Sequence, residues 1–280
     1  MAEAGAVSRD DLLDLAARQL AAAGEPAPRR EAGRLWRDLV SESVLGPPEV
    51  GADAATDYLA GVARRAAGEP LAHVTGWTGF RHLRLRTDAR ALIPRPETEG
   101  LVELALQQVR VGVAADIGTG TGAIALALAM EGAFDEVIGI DRSADALALA
   151  LENGADTGYP VTWLAGDLVA PLQGRTVDLV VSNPPYLTTD EVAHLDPSVA
   201  AWEPHEALDG GPDGLDPYRR LFADVPGVLR EGGWLALELD ARRARETAAL
   251  AEAAGWQDVT LHDDLFGRAR YLLARREMGR

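Results

Sequence analysis

The sequence predicts an α/β fold: a doubly wound, mainly parallel sheet of seven strands, preceded by a small helical bundle and a linking β-hairpin. Three observations carry this. From Val111 onward, apolar β-branched runs alternate with stretches of helical period. A glycine-rich turn, Gly118-Thr119-Gly120-Thr121-Gly122, joins the first such run to the first such helix. The opening 70 residues show only helical spacing, punctuated by Gly and Pro.

Taken in order, residues 8–23 place Leu12, Leu13, Leu15, Ala16 and Leu20 at helical spacing, with Ser8 as N-cap, Asp10 and Asp11 in the first turn and Gly24 past the end. A second helix is expected over 29–44, closed by Leu45-Gly46-Pro47-Pro48, and a third over 54–67. Together they read as an N-terminal domain, 1–70, that either stabilises the chain or recognises a partner. Residues 71–92 read as a hairpin linker, because 71–75, 83–87 and 91–93 are short extended runs broken by Gly76 and Gly79. The third segment, 93–280, opens on Pro94-Arg95-Pro96-Glu97-Thr98-Glu99 and a helix over 97–109. Strands are expected near 112–116, 136–141, 161–166, 177–182, 233–239, 257–262 and 269–275, with helices near 122–131, 143–154, 215–230 and 241–254. The last two strands are separated by Asp264-Leu265-Phe266-Gly267, too short for a helix, so one strand is expected to run antiparallel.

Composition narrows the function. Cysteine is absent and the five histidines are scattered, so neither disulfides nor a metal site is expected. No basic leader precedes an apolar run and no stretch approaches the ~18 apolar residues of a membrane span, so a cytoplasmic protein without a membrane partner is expected. Residues 1–92 carry 12 Arg against 13 acids, net −1, whereas residues 93–280 carry 15 Arg against 31 acids, net −16. So acidic a body repels a phosphate backbone, which disfavours a stable nucleic-acid partner.

Asp116-Ile117-Gly118-Thr119-Gly120-Thr121-Gly122-Ala123 ends a strand and opens a helix, so its glycines allow a tight turn and a close backbone approach by a ligand. Asp141 ends the next strand and suits a ribose diol. The pair reads as a nucleoside site, open at this point between a dinucleotide, whose fingerprint Gly118, Gly120 and Ala123 also satisfy, and S-adenosylmethionine. Two features favour the latter. Asp116 could bind the cofactor's amino-acid portion or hold the loop, and a pyrophosphate gains nothing from it. Asp167, at the end of the third strand, could accept from an adenine amino group while Leu168 covers the ring; alone, Asp167 reads equally as a turn residue.

The fourth strand, 177–182, stops at Asn183-Pro184-Pro185-Tyr186. Two prolines end the ladder in a stiff turn that presents acceptors beyond the carboxyl end of a strand, where α/β sheets bind ligands.

Several segments carry a family resemblance: Gly68-Glu69-Pro70-Leu71-Ala72-His73-Val74-Thr75-Gly76, Leu92-Ile93-Pro94-Arg95-Pro96-Glu97-Thr98-Glu99, Asp116 to Ala123, Val181 to Tyr186, and Glu203-Pro204 with Ala207 through Arg219. Over about residues 60–275 the chain resembles the HemK/PrmC peptide-release-factor glutamine methyltransferases. The resemblance implies a Rossmann-like, seven-stranded class I methyltransferase domain that uses S-adenosylmethionine, held by Asp116, Gly118, Thr119, Gly120, Thr121, Gly122, Asp141, Asp167, Leu168 and Asn183. It implies a peptide-chain release factor as protein substrate, contacted by Asn183, Pro184, Pro185, Tyr186, Arg95 and Glu97, and a monomeric enzyme. Asn183, Pro184 and Tyr186 would act on the acceptor: the Asn183 side-chain oxygen and the Pro184 carbonyl each accept one amide hydrogen, and Tyr186 packs on the amide plane. Methylation of another protein or small-molecule amide, or of a nucleobase amine, fits the same acceptor pair, and a non-catalytic cofactor sensor is the reading from another class. The chain departs from the family at Asp240 and Arg243, where a Gly and a Gln are usual, and at Gly100, where an aliphatic residue is usual.

Overall fold

A computed structural model of the chain describes residues 6–41, 46–195 and 201–279. It divides into two compact units, residues 1–77 and 78–280.

In the first unit, Val7–Ser8 (β1) pairs antiparallel with Glu49–Val50 (β2), and helices α1 (Arg9–Ala22), α2 (Pro28–Leu39), α3 (Ala52–Ala66) and α4 (Leu71–Thr75) pack around one core. Ser8 caps α1 by accepting from the Asp11 N–H. The core centres on Trp36 and Tyr58, whose rings meet edge to face at 5.3 Å, and the Tyr58 hydroxyl donates to the Ala32 carbonyl at 2.9 Å. Helix α2 stops at Leu39; the end expected at 44–45 lies outside the described residues.

Two expectations about the linker are overturned. Leu71–Thr75 is a helix and not a strand: Pro70 starts it, the Thr75 hydroxyl bonds back to the Leu71 carbonyl, and Gly76 at φ 77 ends it. The hairpin is instead Trp77–Phe80 (β3) with Leu83–Arg86 (β4), and residues 91–93 form no strand.

The second unit is built on strands β5 (Val111–Ile117), β6 (Ala133–Asp141), β7 (Thr162–Ala165), β8 (Val177–Ser182), β9 (Leu229–Glu238), β10 (Gln257–Asp263) and β11 (Ala269–Arg275), ordered β10-β11-β9-β8-β5-β6-β7. Only β11 opposes the rest, as the short Asp264 to Gly267 connection requires. Helices α5 (Thr98–Gln108), α6 (Ala123–Glu131), α7 (Ala144–Thr157), α8 (Thr189–Ala193), α9 (Asp216–Asp224) and α10 (Ala244–Ala253) complete it. Two buried clusters, one with Leu101, Leu126 and Leu179 and the other with Ile138, Phe222 and Leu272, make its core. The helix expected over 215–230 is shorter because Pro226 cannot donate; a 3₁₀ turn at Val225–Gly227 leads directly into β9. The one expected over 241–254 begins with a 3₁₀ turn, Ala241–Arg243, capped by Asp240.

This order sends the chain outward from β5 through β6 and β7 on one side and through β8 and β9 on the other. The carboxyl ends of β5 and β8 therefore border a topological switch point, where a crevice forms.

Candidate active site

That crevice is a cleft of about 1170 Å³ lined by the glycine loop, Asp141, Asp167, Leu168 and Ser182 to Pro185. All its lining residues belong to the second unit.

The loop after β5 is shaped from below. Asp116 is fully buried, and its Oδ2 accepts from the Thr119 hydroxyl at 2.5 Å and the Ala125 N–H at 3.1 Å, tying strand, loop and α6 together. Its Oδ1 is buried without a partner, and burial pushes the carboxyl up to about 7. Of its two expected roles, holding the loop is the one visible here. Gly122 sits at φ 83, and a Cβ there would lie 2.7 Å from the Trp163 ring, so this glycine serves both the turn and the packing of α6 over β7.

Most of the loop amides are turned inward. The Gly118 and Thr119 N–H groups donate to the Ile140 carbonyl, Gly120 N–H to Asp141 Oδ2 at 2.9 Å, and Gly122 N–H to the Thr119 carbonyl. These four donors are spent internally, and a buried carboxyl lies beneath the loop. The residues present fit S-adenosylmethionine, which has no phosphate, a cationic sulfonium and an ammonium group on its amino-acid end. Asp141 holds its place through the Gly120 and Ser143 N–H groups and still faces the cleft. Asp167 and Leu168 line the wall where expected; Asp167 pairs with Arg220 at 2.5 Å, and Leu168 adopts φ 49, unusual for a residue with a side chain.

At the end of β8, the Ser182 hydroxyl donates to the Ile117 carbonyl at 2.6 Å, clamping the acceptor turn to the glycine loop. Asn183, Pro184 and Pro185 line the cleft. Tyr186 does not: its ring packs against the core, and burial raises its hydroxyl pKa. Arg95 lines the wall and binds the buried Glu203 carboxylate at 2.6 and 2.8 Å, while Glu97 is outside the lining and receives the Tyr271 hydroxyl on its carbonyl.

Sequence reasoning missed three supporting residues. Thr98 accepts from Asn183 Nδ2 at 3.2 Å and donates to Glu238 Oε2 at 2.7 Å. Gly210 packs on the acceptor turn so closely that a Cβ would lie 2.8 Å from the Pro185 carbonyl oxygen. The signals were an acid ending an apolar strand and a Gly-Gly pair beside a Pro-Asp. The Asp240 and Arg243 departures form one ion network: Asp240 binds Arg242 and Arg243, and both arginines bind Glu191, whose carboxylate also completes the capping box of α8.

A doubly wound sheet with one antiparallel strand, a glycine loop tied down by the buried Asp116, and an acid at the end of β6 fit a class I S-adenosylmethionine-dependent methyltransferase. Residues 98–196 match the methyltransferase small domain and residues 11–76 the PrmC N-terminal domain. The fold is similar to that of a methyltransferase from Pyrococcus furiosus, with a TM-score of 0.55 at 16% identity over 81% of this chain and 100% of that one. The chain is 43% identical to the release factor glutamine methyltransferase of Deinococcus radiodurans, covering 96% of this chain and 99% of the relative, and 42% identical to that of Cereibacter sphaeroides, covering 95% and 97%. It belongs to the release factor glutamine methyltransferase family.

Proposed function

We propose that this chain transfers a methyl group from S-adenosylmethionine to the side-chain amide nitrogen of a protein glutamine, the one in the Gly-Gly-Gln loop of peptide-chain release factors. The observation that carries this is that the Asn183-Pro184-Pro185 turn lines the same cleft as the glycine loop and Asp141. S-adenosylmethionine, when bound by the loop, Asp141, Asp167 and Leu168, supplies a methyl group already activated by its sulfonium. The chain's own task is the acceptor. An amide nitrogen is a poor nucleophile because its lone pair is shared with the carbonyl, so it must be oriented and its growing charge stabilised. Asn183 Oδ1 and the Pro184 carbonyl each take one amide hydrogen, which selects a group that can donate twice and excludes carboxylates. Once nitrogen carries four bonds, its proton leaves and the amide is restored.

The helical first unit, which carries 8 Arg against 12 acids, net −4, is assigned to recognition of the release factor. The acidity of the catalytic part counts against a nucleobase substrate. Action in the cytoplasm fits, and no helix among the described residues is long and apolar enough to cross a membrane. The test is incubation with methyl-labelled cofactor and a purified release factor, followed by mass spectrometry. Label on the glutamine of Gly-Gly-Gln is expected; label elsewhere, or none, would overturn the assignment.

A further inference from the structure

Behind Asn183 lies a short chain of hydrogen bonds that ends on a buried carboxylate. Glu238, at the end of β9, is 1% exposed, and its Oε2 accepts from the Thr98 hydroxyl at 2.7 Å. Thr98, 5% exposed at the start of α5, lies 3.2 Å from Asn183 Nδ2. A threonine hydroxyl has one hydrogen, and an ionised carboxylate can only accept. With Glu238 ionised, the Thr98 hydrogen is therefore committed to it, and toward Asn183 the hydroxyl can offer only a lone pair. Of the two ends of the Asn183 amide, only the NH2 can satisfy it. The oxygen must then face the cleft.

We propose that Thr98 and Glu238 are positioning residues that fix which end of the Asn183 amide meets the acceptor. This rests on the function proposed above and deepens it, because discrimination between glutamine and glutamate depends on that choice. An Asn183 oxygen facing the cleft accepts an amide hydrogen and repels a carboxylate. An Asn183 NH2 facing the cleft would do the reverse.

The test uses the full chain under alkaline conditions, where the Glu238 carboxyl, pushed up to about 7 by burial, is ionised. Thr98→Val keeps the shape and removes the hydroxyl, and Thr98→Ser restores it. Single-turnover methyl transfer to a release factor is expected to fall about 10–100-fold in Thr98→Val, with cofactor affinity within a few-fold, and to recover in Thr98→Ser. A release factor whose acceptor glutamine is replaced by glutamate supplies a readout that mere loss of stability would not move. It should inhibit Thr98→Val more strongly, relative to KM for the native substrate, by about tenfold compared with the parent. Glu238→Gln, which can donate as well as accept, should narrow the same ratio less, and it carries the test should Thr98→Val not fold. An unchanged ratio in both variants, or a Thr98→Ser enzyme as slow as Thr98→Val, would overturn the proposal. Failure of the parent to methylate the release factor would instead overturn the function on which it rests.

Discussion

The Tyr271 hydroxyl occupies the space that a side chain at position 100 would fill: a Cβ on Gly100 would lie 2.3 Å from it. The same hydroxyl donates to the Glu97 carbonyl at 2.6 Å, pinning β11 to the turn that delivers Thr98 to the site. Gly100→Val should therefore destabilise the chain by about 1–3 kcal/mol through overpacking. Tyr271→Phe should lose about 0.5–1.5 kcal/mol with the hydrogen bond. Combining Gly100→Val with Tyr271→Ala should destabilise less than the sum of the two single changes in urea melts. Additive losses would show that the two positions do not share this space.

Gly210 supports the acceptor turn from the opposite side. It donates its N–H to the Leu187 carbonyl at 2.7 Å, and a Cβ would meet the Pro185 carbonyl oxygen at 2.8 Å and the Tyr186 Cα at 3.0 Å. Backbone cannot step aside as a flexible side chain can, so Gly210→Ala must displace the turn. Methyl transfer should fall by roughly 10²-fold, the scale of a small misplacement of reacting groups. Cofactor affinity by calorimetry should stay within a few-fold. A kcat equal to the parent's would mean that the turn does not depend on this buttress.

How much could be read in advance follows from where each constraint resides. The glycine loop, Asp141 and the double-proline turn are local, because glycine and proline dictate backbone shape whatever surrounds them. Thr98 and Glu238 lie 140 positions apart, and only the sheet order brings them together. Gly210 matters through the backbone of residues 185 and 186, which the surrounding sequence does not announce. Leu71–Thr75 is expected as a short extended run broken by Gly76, whereas Pro70 and Gly76 frame a helical turn. Tyr186 was expected on the acceptor; its partly buried ring packs against the core, a contact that only the folded sheet creates.

Two buried carboxyls set a pH dependence of stability. Burial pushes Asp116 from 3.8 and Glu238 from 4.5 up to about 7. Between these limits the folded state holds protons that the unfolded chain releases. Their favourable contribution is thus complete below the unfolded values and is lost as pH rises through about 7. Asp213, drawn down to about 2 by Arg219, titrates below this window and does not offset it. Between about pH 5 and pH 8 the unfolding free energy from urea melts should fall, by an amount on the order of 1–3 kcal/mol per group, and Glu238→Gln should flatten the decline. An equally steep decline in that variant would remove Glu238 as a cause.

Asn183 is the residue on which the acceptor geometry turns. Asn183→Ala removes an acceptor without touching the glycine loop or Asp141, so cofactor affinity should remain within a few-fold while single-turnover methyl transfer drops by ~10²–10³. Asn183→Asp separates shape from charge. It keeps an oxygen toward the cleft but brings a second carboxyl close to the Thr98 hydroxyl, which already serves the buried Glu238. Two carboxyls sharing one hydroxyl repel, which raises the pKa of the new group. When protonated, the Asp variant can donate to Thr98 and turn its carbonyl toward the substrate, much as asparagine does. When ionised, it can satisfy Thr98 only by taking the hydrogen committed to Glu238. The Asp variant should therefore be more active than Asn183→Ala and less active than the parent, and its rate relative to the parent should decline as pH rises. An Ala variant as fast as the parent on a release factor would leave Asn183 with no part in methyl transfer. An Asp variant whose relative rate does not change with pH would show that the hydroxyl behind it sets no direction.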